Sequence, residues 1–178
     1  MDLSCGRMPM MVLVFSDQSQ EEIDMKEGGP FLTAALFCER VLQEKDGVLS
    51  AIRIIDRLTH TRTGPDAPDA MPAFQVQISI LTAFKSGDVK GKQELIIKGT
   101  SPSGKALPVI SVPLLFEGGE RGTNVNIGYA FQAEEEGLYW FDVTLNGTIY
   151  TRIPLRIIYQ KIQTTMGTTQ PLPQNPLH

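Results

Sequence analysis

Apolar and polar side chains alternate with a period of two over most of the middle of this chain, which is the pattern of half-buried β-strands. In the clearest run, residues 74–84, the polar Gln75 and Gln77 share one parity, and the other parity holds the residues predicted to face the core, Phe74, Val76, Ile78, Ile80 and Phe84. Residues 94–98 are predicted to form a short return strand, and 109–116 is an apolar run interrupted by a proline. Alternation returns at 124–131 and at 139–145, where the residues on the core parity are Tyr139, Phe141, Val143 and Leu145. The chain is therefore predicted to be a series of strands, each with one face towards a core.

Turn and proline positions refine this picture. Asn146-Gly147 supplies the two positive-φ positions of a type I′ turn, so it predicts a hairpin between strands at 138–145 and 148–159. The residues of the second strand predicted to face the core are Ile149, Ile153, Leu155 and Ile157. Pro113 and Pro154 interrupt two of the predicted strands. Because proline has no backbone N–H, each of them predicts an edge position or a bulge.

Residues 31–61 fit two interpretations. The leucines of the first half have helical spacing, whereas residues 48–55 are rich in β-branched side chains and follow a turn, which predicts a strand. For the first half we expect a strand over 32–38 followed by one short helix near 39–45. A full helix over 31–45 is the alternative.

The fold class follows from the number and spacing of the strands. Seven or eight strands, joined by turns too short to hold crossover helices, predict an all-β fold, an antiparallel β-sandwich of the immunoglobulin or C2 type. Residues 30–160 are expected to form this domain, with 1–29 as a flexible leader and 161–178 as a flexible tail rich in Pro, Thr and Gln. The apolar run at 8–15 is too short for a membrane span, which needs about 20 residues.

Composition and charge then narrow the function. The 178 residues include 16 Lys and Arg against 20 Asp and Glu, a formal net charge of −4 that disfavours a nucleic-acid partner. Two cysteines and two histidines form no metal-ligand motif, so we expect no metal and no cofactor. Reduced thiols and the absence of a convincing secretion signal favour a cytoplasmic protein.

Two motifs with catalytic potential have simpler explanations. Residues 99–106 come within one residue of the phosphate-binding P-loop pattern, but Ala106 stands where the pattern needs a hydroxyl to hold Mg²⁺, and Pro108 follows where a helix should begin. Cys38 and His60 would be the members of a nucleophilic pair. Cys38, however, follows Ala-Ala-Leu-Phe, and an apolar environment raises the pKa of a thiol and leaves it unreactive. Enzymatic activity is therefore not expected.

One segment resembles a known group of proteins. The residues concerned are Leu36, Phe37, Cys38, Glu39, Arg40, Val41, Glu44, Gly47, Leu49, Ser50, Ile52, Ile54, Asp56, Arg57 and Leu58. Together they resemble the opening of an uncharacterised bacterial family of the domain-of-unknown-function type. The resemblance implies a small β-sandwich with no assigned activity, and it contributes fold rather than function.

Within that segment Glu39, Asp56 and Arg57 are the polar candidates for a site. Asp56 shares the parity of the preceding isoleucines, so we expect it to be partly buried and to need a charged partner, for which Arg40 and Arg53 are available. A structural ion pair that fixes strand register is favoured over catalysis.

The leading hypothesis is a non-catalytic interaction or assembly module that binds a protein partner or forms a homo-oligomer. Trp140 and Tyr150 lie on the parity opposite to the core and are expected to form an exposed pair across the predicted hairpin. This pair, or an edge strand near one of the two strand prolines, would be the contact surface. The alternative is a small-molecule or carbohydrate-binding protein, or a hydrolase, with its site in the loops 64–72 and 99–105.

Overall fold

The computed structural model describes residues 28–162, which form seven strands and no helix. The strands are β1 (Phe31–Gln43), β2 (Leu49–Ile55), β3 (Arg57–Thr63), β4 (Phe74–Thr100), β5 (Ile110–Ala133), β6 (Gly137–Leu145) and β7 (Thr148–Ile162). The all-β prediction is confirmed. Almost all of the predicted leader and tail lies outside the described residues. With strands and turns alone, residues 28–162 contain no helix that could cross a membrane.

The short helix expected near 39–45 is wrong, and so is the full helix over 31–45. β1 continues as a strand to Gln43, and its last residues pair with β2, with Arg40 opposite Ile52 and Leu42 opposite Ser50. Backbone pairing with the next strand outweighs the helical spacing of the leucines in this segment, because propensity is a weak prior against tertiary pairing.

All seven strands belong to one sheet with the order β2-β1-β4-β6-β7-β3, and β5 pairs with β4 beside this path. Neighbouring strands are antiparallel except β3 and β7, which run parallel from Arg57 opposite Arg156 to Thr63 opposite Ile162. The prediction of a purely antiparallel arrangement is wrong at this pair. Sequence patterns locate strands but do not specify which distant strands become neighbours.

β4 and β5 are long strands that bend in the middle. β4 pairs with β1 as far as Lys85 and with β6 from Leu95 onwards. Between these regions Gly87 adopts a φ of 56°, and a Cβ there would lie 2.3 Å from the carbonyl oxygen of Gly28, so only glycine fits. The residues predicted to end one strand and start another thus form a bend inside β4. The bend divides the sheet into a first half, with β1 and β2, and a second half, with β6, β7 and β3.

The two halves face each other across a single core. The ring of Phe141 on β6 lies 4.9 Å from that of Phe37 on β1, 5.8 Å from Tyr129 and 6.0 Å from Phe131, the last two on β5. These contacts join the two halves at distances typical of favourable aromatic pairs. Most positions predicted to face the core are buried, including Val76, Ile78, Ile80, Phe84, Tyr139, Val143, Leu155 and Ile157.

Candidate interaction surface

Glu39 lies on β1 and forms an ion pair with Arg53 of β2, with 2.8 Å between Oε2 and Nη1. Both side chains are exposed. Arg53 adopts a φ of 53°, an uncommon value for a residue other than glycine. An exposed pair of this kind contributes roughly 0–1 kcal/mol, so it adds little to the stability of the β1–β2 hairpin.

Asp56 and Arg57 lie at the junction of β2 and β3, and both are exposed. The predicted burial of Asp56 is wrong because Asp56 points to the same side as Ile54, and that side faces the solvent. Ile54 is 67% exposed, whereas Ile55 packs against the core. Asp56 forms no ion pair with an arginine in the described part of the chain; its carbonyl oxygen accepts a hydrogen bond from the N–H of Arg156 at 2.9 Å.

Trp140 is exposed on β6, but it lies opposite Pro154 rather than Tyr150. Its ring is covered on one side by the guanidinium of Arg152, whose Cζ is 5.8 Å from the ring centroid. Arg152 is in turn held by Asp142, with 3.2 Å between Nη2 and Oδ2. The indole is therefore already in contact with a cation of its own sheet.

Tyr150 occupies a β-bulge and turns towards the core. Val143 pairs with Thr151 while Thr144 pairs with Ile149, which leaves Tyr150 as the extra residue. Its ring packs 5.6 Å from that of Phe84, and burial raises the pKa of its hydroxyl. Ile149, predicted to face the core, is 60% exposed. The predicted exposed pair of Trp140 and Tyr150 is therefore wrong, because the bulge inverts the alternation.

The loop that resembles a phosphate-binding loop is filled by a carboxylate of the protein itself. Oε1 of Glu135 accepts hydrogen bonds from the backbone N–H of Ser103 at 3.0 Å, from its hydroxyl at 2.5 Å and from the hydroxyl of Ser101 at 2.7 Å. These bonds, led by the one from the Ser103 hydroxyl, hold the pKa of Glu135 below its usual value. Lys105, at the position of the P-loop lysine, pairs with Glu134 at 2.7 Å.

The loop 64–72 borders an open hollow of about 430 Å³. Its lining comes from the single continuous stretch 62–72, so no polar group of a second element converges on it, as ligand sites usually require. The loop is anchored from outside by the hydroxyl of Tyr159, which donates to the carbonyl of Pro68 at 2.7 Å, and by an ion pair of Lys161 with Asp69 at 2.8 Å.

Cys38 and His60 lie on strands that are not neighbours in the sheet, β1 and β3. Cys38 is completely buried, and burial raises its pKa. The imidazole of His60 stacks on the ring of Phe74 at 4.1 Å, and its Nε2 is buried with no hydrogen-bond partner among residues 28–162. Desolvation, with a smaller contribution from Arg62, lowers the pKa of His60. The two side chains are not arranged as a nucleophile and its base.

Free strand edges are the remaining feature that could bind another molecule. In the described residues, β2 and β3 each pair on one side only, and so does β5 along its whole length. Residues 31–36 of β1 and 148–155 of β7 also have one free side, and a bulge interrupts each of these two segments. Edges of natural sheets usually carry charges, prolines or bulges that prevent pairing with another chain. β3 has arginines at 57 and 62, β2 has the left-handed Arg53, and the first half of β5 has Pro113, which confirms that this proline is at an edge.

The second half of β5, residues 122–133, lacks every one of these protective features. Its sequence contains no charged residue and no proline, and its pairing with β4 runs without a register shift from Gly122 to Ala133. Asn126 and Gly128 are exposed on the outer side, while Ile127 is half-buried on the core side. We call the free side of residues 122–133 the β5 edge.

Two shallow hollows lie on the outer face over β4, on the side of β5 opposite to the β5 edge. One, of about 370 Å³, lies between the β1–β2 turn, including Val48 and Leu49, and the outer side chains of Leu81, Ala83 and Asn124. The other, of about 380 Å³, is bordered by Glu39, Gln77, Ser79, Gly128 and Ala130 among others. We call the two together the outer groove. Apart from its ends at Glu39 and Asp46, its lining is uncharged.

Comparison with known proteins bears on the family of this chain. A family model described as a family of unknown function, DUF6941, matches residues 33–158. The chain belongs to this family. The match confirms the resemblance to an uncharacterised family that residues 36–58 indicate, and it includes the whole of the β5 edge. No curated protein matches the chain.

Among solved structures, an immunoglobulin-like protein from Pseudomonas aeruginosa is similar to this DUF6941 chain with a TM-score of 0.38 and 11% sequence identity. The similarity covers 74% of this chain and 98% of that one. A resemblance at this level carries no argument about function. For this member of DUF6941 the function must be inferred from its own surface.

Sequence reasoning did not identify the β5 edge. It selected the part of the strand near Pro113, because proline is a visible edge marker. The sequence signal for an unprotected edge is the absence of such markers: residues 122–133 contain no charged residue, although 20% of the chain is charged. That absence became informative only when the structure placed the segment at an edge.

Proposed function

We propose that this protein is a non-catalytic β-module that binds another polypeptide by adding a strand of the partner to the β5 edge. The observation that carries the proposal is the length of unprotected edge, residues 122–133, on an otherwise protected sheet. Strand addition is a common mode of peptide recognition in which main-chain hydrogen bonds supply affinity.

The outer groove would supply selectivity. Alternate side chains of an added strand point to the same face of the sheet as Asn124 and Asn126. Both hollows lie on the β4 side of β5, so a side chain of the added strand would reach them by lying across β5, for example over Gly128, which has no side chain. The hollow lined by Leu81 and Ala83 would take an apolar side chain, and the one lined by Ser79 and Gly128 a small or polar one. We therefore expect a preference for uncharged partner segments.

The other surfaces support this function less well. The indole of Trp140 already contacts the guanidinium of Arg152 on one side, and the loop 99–105 is filled by the carboxylate of Glu135. The loop 64–72 offers a hollow without convergent polar groups from a second element. Binding of a small molecule in the loop 99–105 would require the protein to break the hydrogen bonds that Glu135 already makes there.

A displayed library of 12-residue peptides, selected on the full-length protein, tests the proposal. Selected peptides are resynthesised and their affinities measured by calorimetry against the wild type and the double variant Asn126→Lys/Gly128→Lys. Lysines on an edge oppose strand addition, and a Cβ at Gly128 would meet open space, so the fold should tolerate the change. Leu115→Lys, at an exposed position of the first half of β5, is the matched control.

The expected result is a set of peptides that lose at least tenfold in affinity on the double variant, keep their affinity on the control and lose it when alternate peptide nitrogens are methylated. N-methylation removes the donors that pair with the edge without changing side chains. Peptides that bind the double variant as tightly as the wild type would refute the proposal, and so would a library that yields no binder on a protein that is monomeric at the concentration used for selection.

A further inference from the structure

We infer that the strand received by the β5 edge is the β5 edge of a second copy of this chain, so that two sheets join across a two-fold axis. The inference rests on the proposed function, because it assumes that this edge accepts a strand, and it goes further by naming the partner. Two-fold dimers are the commonest oligomers of soluble proteins, and each of their interfaces pairs a surface with itself.

Self-pairing imposes a condition that the β5 edge meets. In an antiparallel pair across a two-fold axis, a charge close to the axis faces the same charge of its copy at short range, and directly opposed like charges are destabilising. A segment of 12 residues in a chain that is 20% charged would carry 12 × 0.20 ≈ 2.4 charges on average, whereas residues 122–133 carry none. The β3 edge would bring its own arginines at 57 and 62 close to those of the copy.

The register follows from the faces of the strand. Directly paired residues must point to the same face, so the axis passes through a residue, and centring on Ile127 or on Gly128 keeps the paired stretch free of charge. We assign the axis to Ile127. Its half-buried side chain then meets its own copy and loses further contact with water, whereas an axis at Gly128 would place two residues without side chains opposite each other. In this register Asn126 faces Gly128 of the other copy.

The size of the contact sets its strength. Eleven paired residues extend for about 36 Å along the strand, and with a strip roughly 10 Å wide they cover on the order of 400 Å² of each copy, half of the roughly 800 Å² of a standard interface. We therefore expect a reversible dimer with a dissociation constant in the micromolar range rather than an obligate one.

Sedimentation equilibrium of the full chain from about 5 to 500 µM tests the inference. The weight-average mass should rise from 19.6 kDa towards 2 × 19.6 = 39.2 kDa. Asn126→Lys/Gly128→Lys should raise the dissociation constant at least tenfold, because it places four lysines next to the axis. Leu115→Lys should leave the dissociation constant unchanged.

Cysteine cross-linking tests the register independently, in a background with Cys5→Ser. Directly opposed residues in an antiparallel pair have Cα atoms about 4.5–5.5 Å apart, within the range that a disulfide spans. Ile127→Cys should therefore form an intermolecular disulfide on mild oxidation. Asn124→Cys, which faces Ala130 of the copy in this register, should not.

Each outcome decides the inference. A wild type that remains a monomer at 500 µM overturns it, as does a dimer that the two lysines leave intact or one that cross-links in Asn124→Cys but not in Ile127→Cys. If the wild type is monomeric yet edge-dependent peptides are selected from the library, the proposed function stands and the partner is a different protein. If neither is seen, both the inference and the proposed function fail.

Discussion

Replacing Gly99 by alanine tests why β4 has a glycine at its next-to-last position. A Cβ at this position would lie 2.8 Å from Cε1 of Phe141 and 2.9 Å from Cδ1 of Leu107. Both distances are shorter than carbon atoms tolerate without moving. Phe141 is completely buried and packed against three other aromatic rings, so it has no free space to move into. In a phosphate-binding loop this glycine would let the backbone come close to the phosphate. Here Gly99 instead leaves room for Phe141 and Leu107 in the core.

The expected loss of stability follows from overpacking. Forcing one extra carbon into a well-packed core costs typically about 1–3 kcal/mol, and the two closest contacts involve a ring and a branched side chain that cannot both yield. We expect Gly99→Ala to lower the free energy of unfolding by about 2 kcal/mol. With a urea dependence of about 2 kcal/mol per molar, the midpoint should fall by about 1 M.

Gly128→Ala is the matched control for this measurement. An added Cβ there meets nothing within 4 Å, and the residue does not have a positive φ, so alanine should be neutral or stabilising by up to about 1 kcal/mol. Urea unfolding can be followed by the fluorescence of Trp140, the single tryptophan of the chain. A midpoint for Gly99→Ala within about 0.2 M of the wild type would refute the packing argument, since it corresponds to less than about 0.5 kcal/mol.

Three further measurements probe other contacts. Tyr129→Phe removes the 2.8 Å hydrogen bond from a buried hydroxyl to the carbonyl of Pro108 and should cost about 1–3 kcal/mol in urea unfolding; no loss would mean that the carbonyl is solvated instead. The pKa of Glu135 is below its usual 4.5 in the folded state, so its contribution to folding stability should be present above pH 4.5 and lost as the pH falls through the folded value. The melting temperature of Glu135→Gln should therefore depend less on pH in that acidic range than that of the wild type. The pKa of His60 is likewise below its usual 6.5, so the unfolded state takes up the proton first and folding stability should decline as the pH falls below 6.5. His60→Phe should remove this decline. If the dependence of stability on pH is the same in both proteins, the desolvation of the imidazole is contradicted.

The alternation of side chains predicted most of the fold but failed where the backbone departs from regular pleating. The bulge at Tyr150 inverts the parity beyond it, so that Ile149 is exposed and the tyrosine packs inwards. Asp56 was assigned to the wrong face because Ile54, apolar as it is, points to solvent. In both cases a local pattern of hydrophobicity cannot show which face of a strand is covered, since covering depends on strands distant in sequence.

The candidate site was beyond sequence reasoning for the same reason. Whether a strand has a free edge is decided by the strands that do not pair with it, and β5 is free because β6 pairs with β4 instead of with β5. The sequence markers of an edge, such as Pro113, indicate protected edges. An unprotected edge looks in sequence like any interior strand, so only the sheet order distinguishes the two.

The composition of the β5 edge is not explained by the stability of the fold. Gly128 has room for a side chain and an ordinary φ, and glycine inside a strand costs about 0.5–1 kcal/mol relative to alanine, so a larger residue would stabilise the strand. A lysine there would also protect the edge from other chains. Glycine in a strand interior often marks a place where another backbone approaches closely. The missing side chain and the missing charges thus coincide on an edge that pairs with β4 without a register shift, and a protein that keeps such an edge exposed risks aggregation unless a specific partner occupies it.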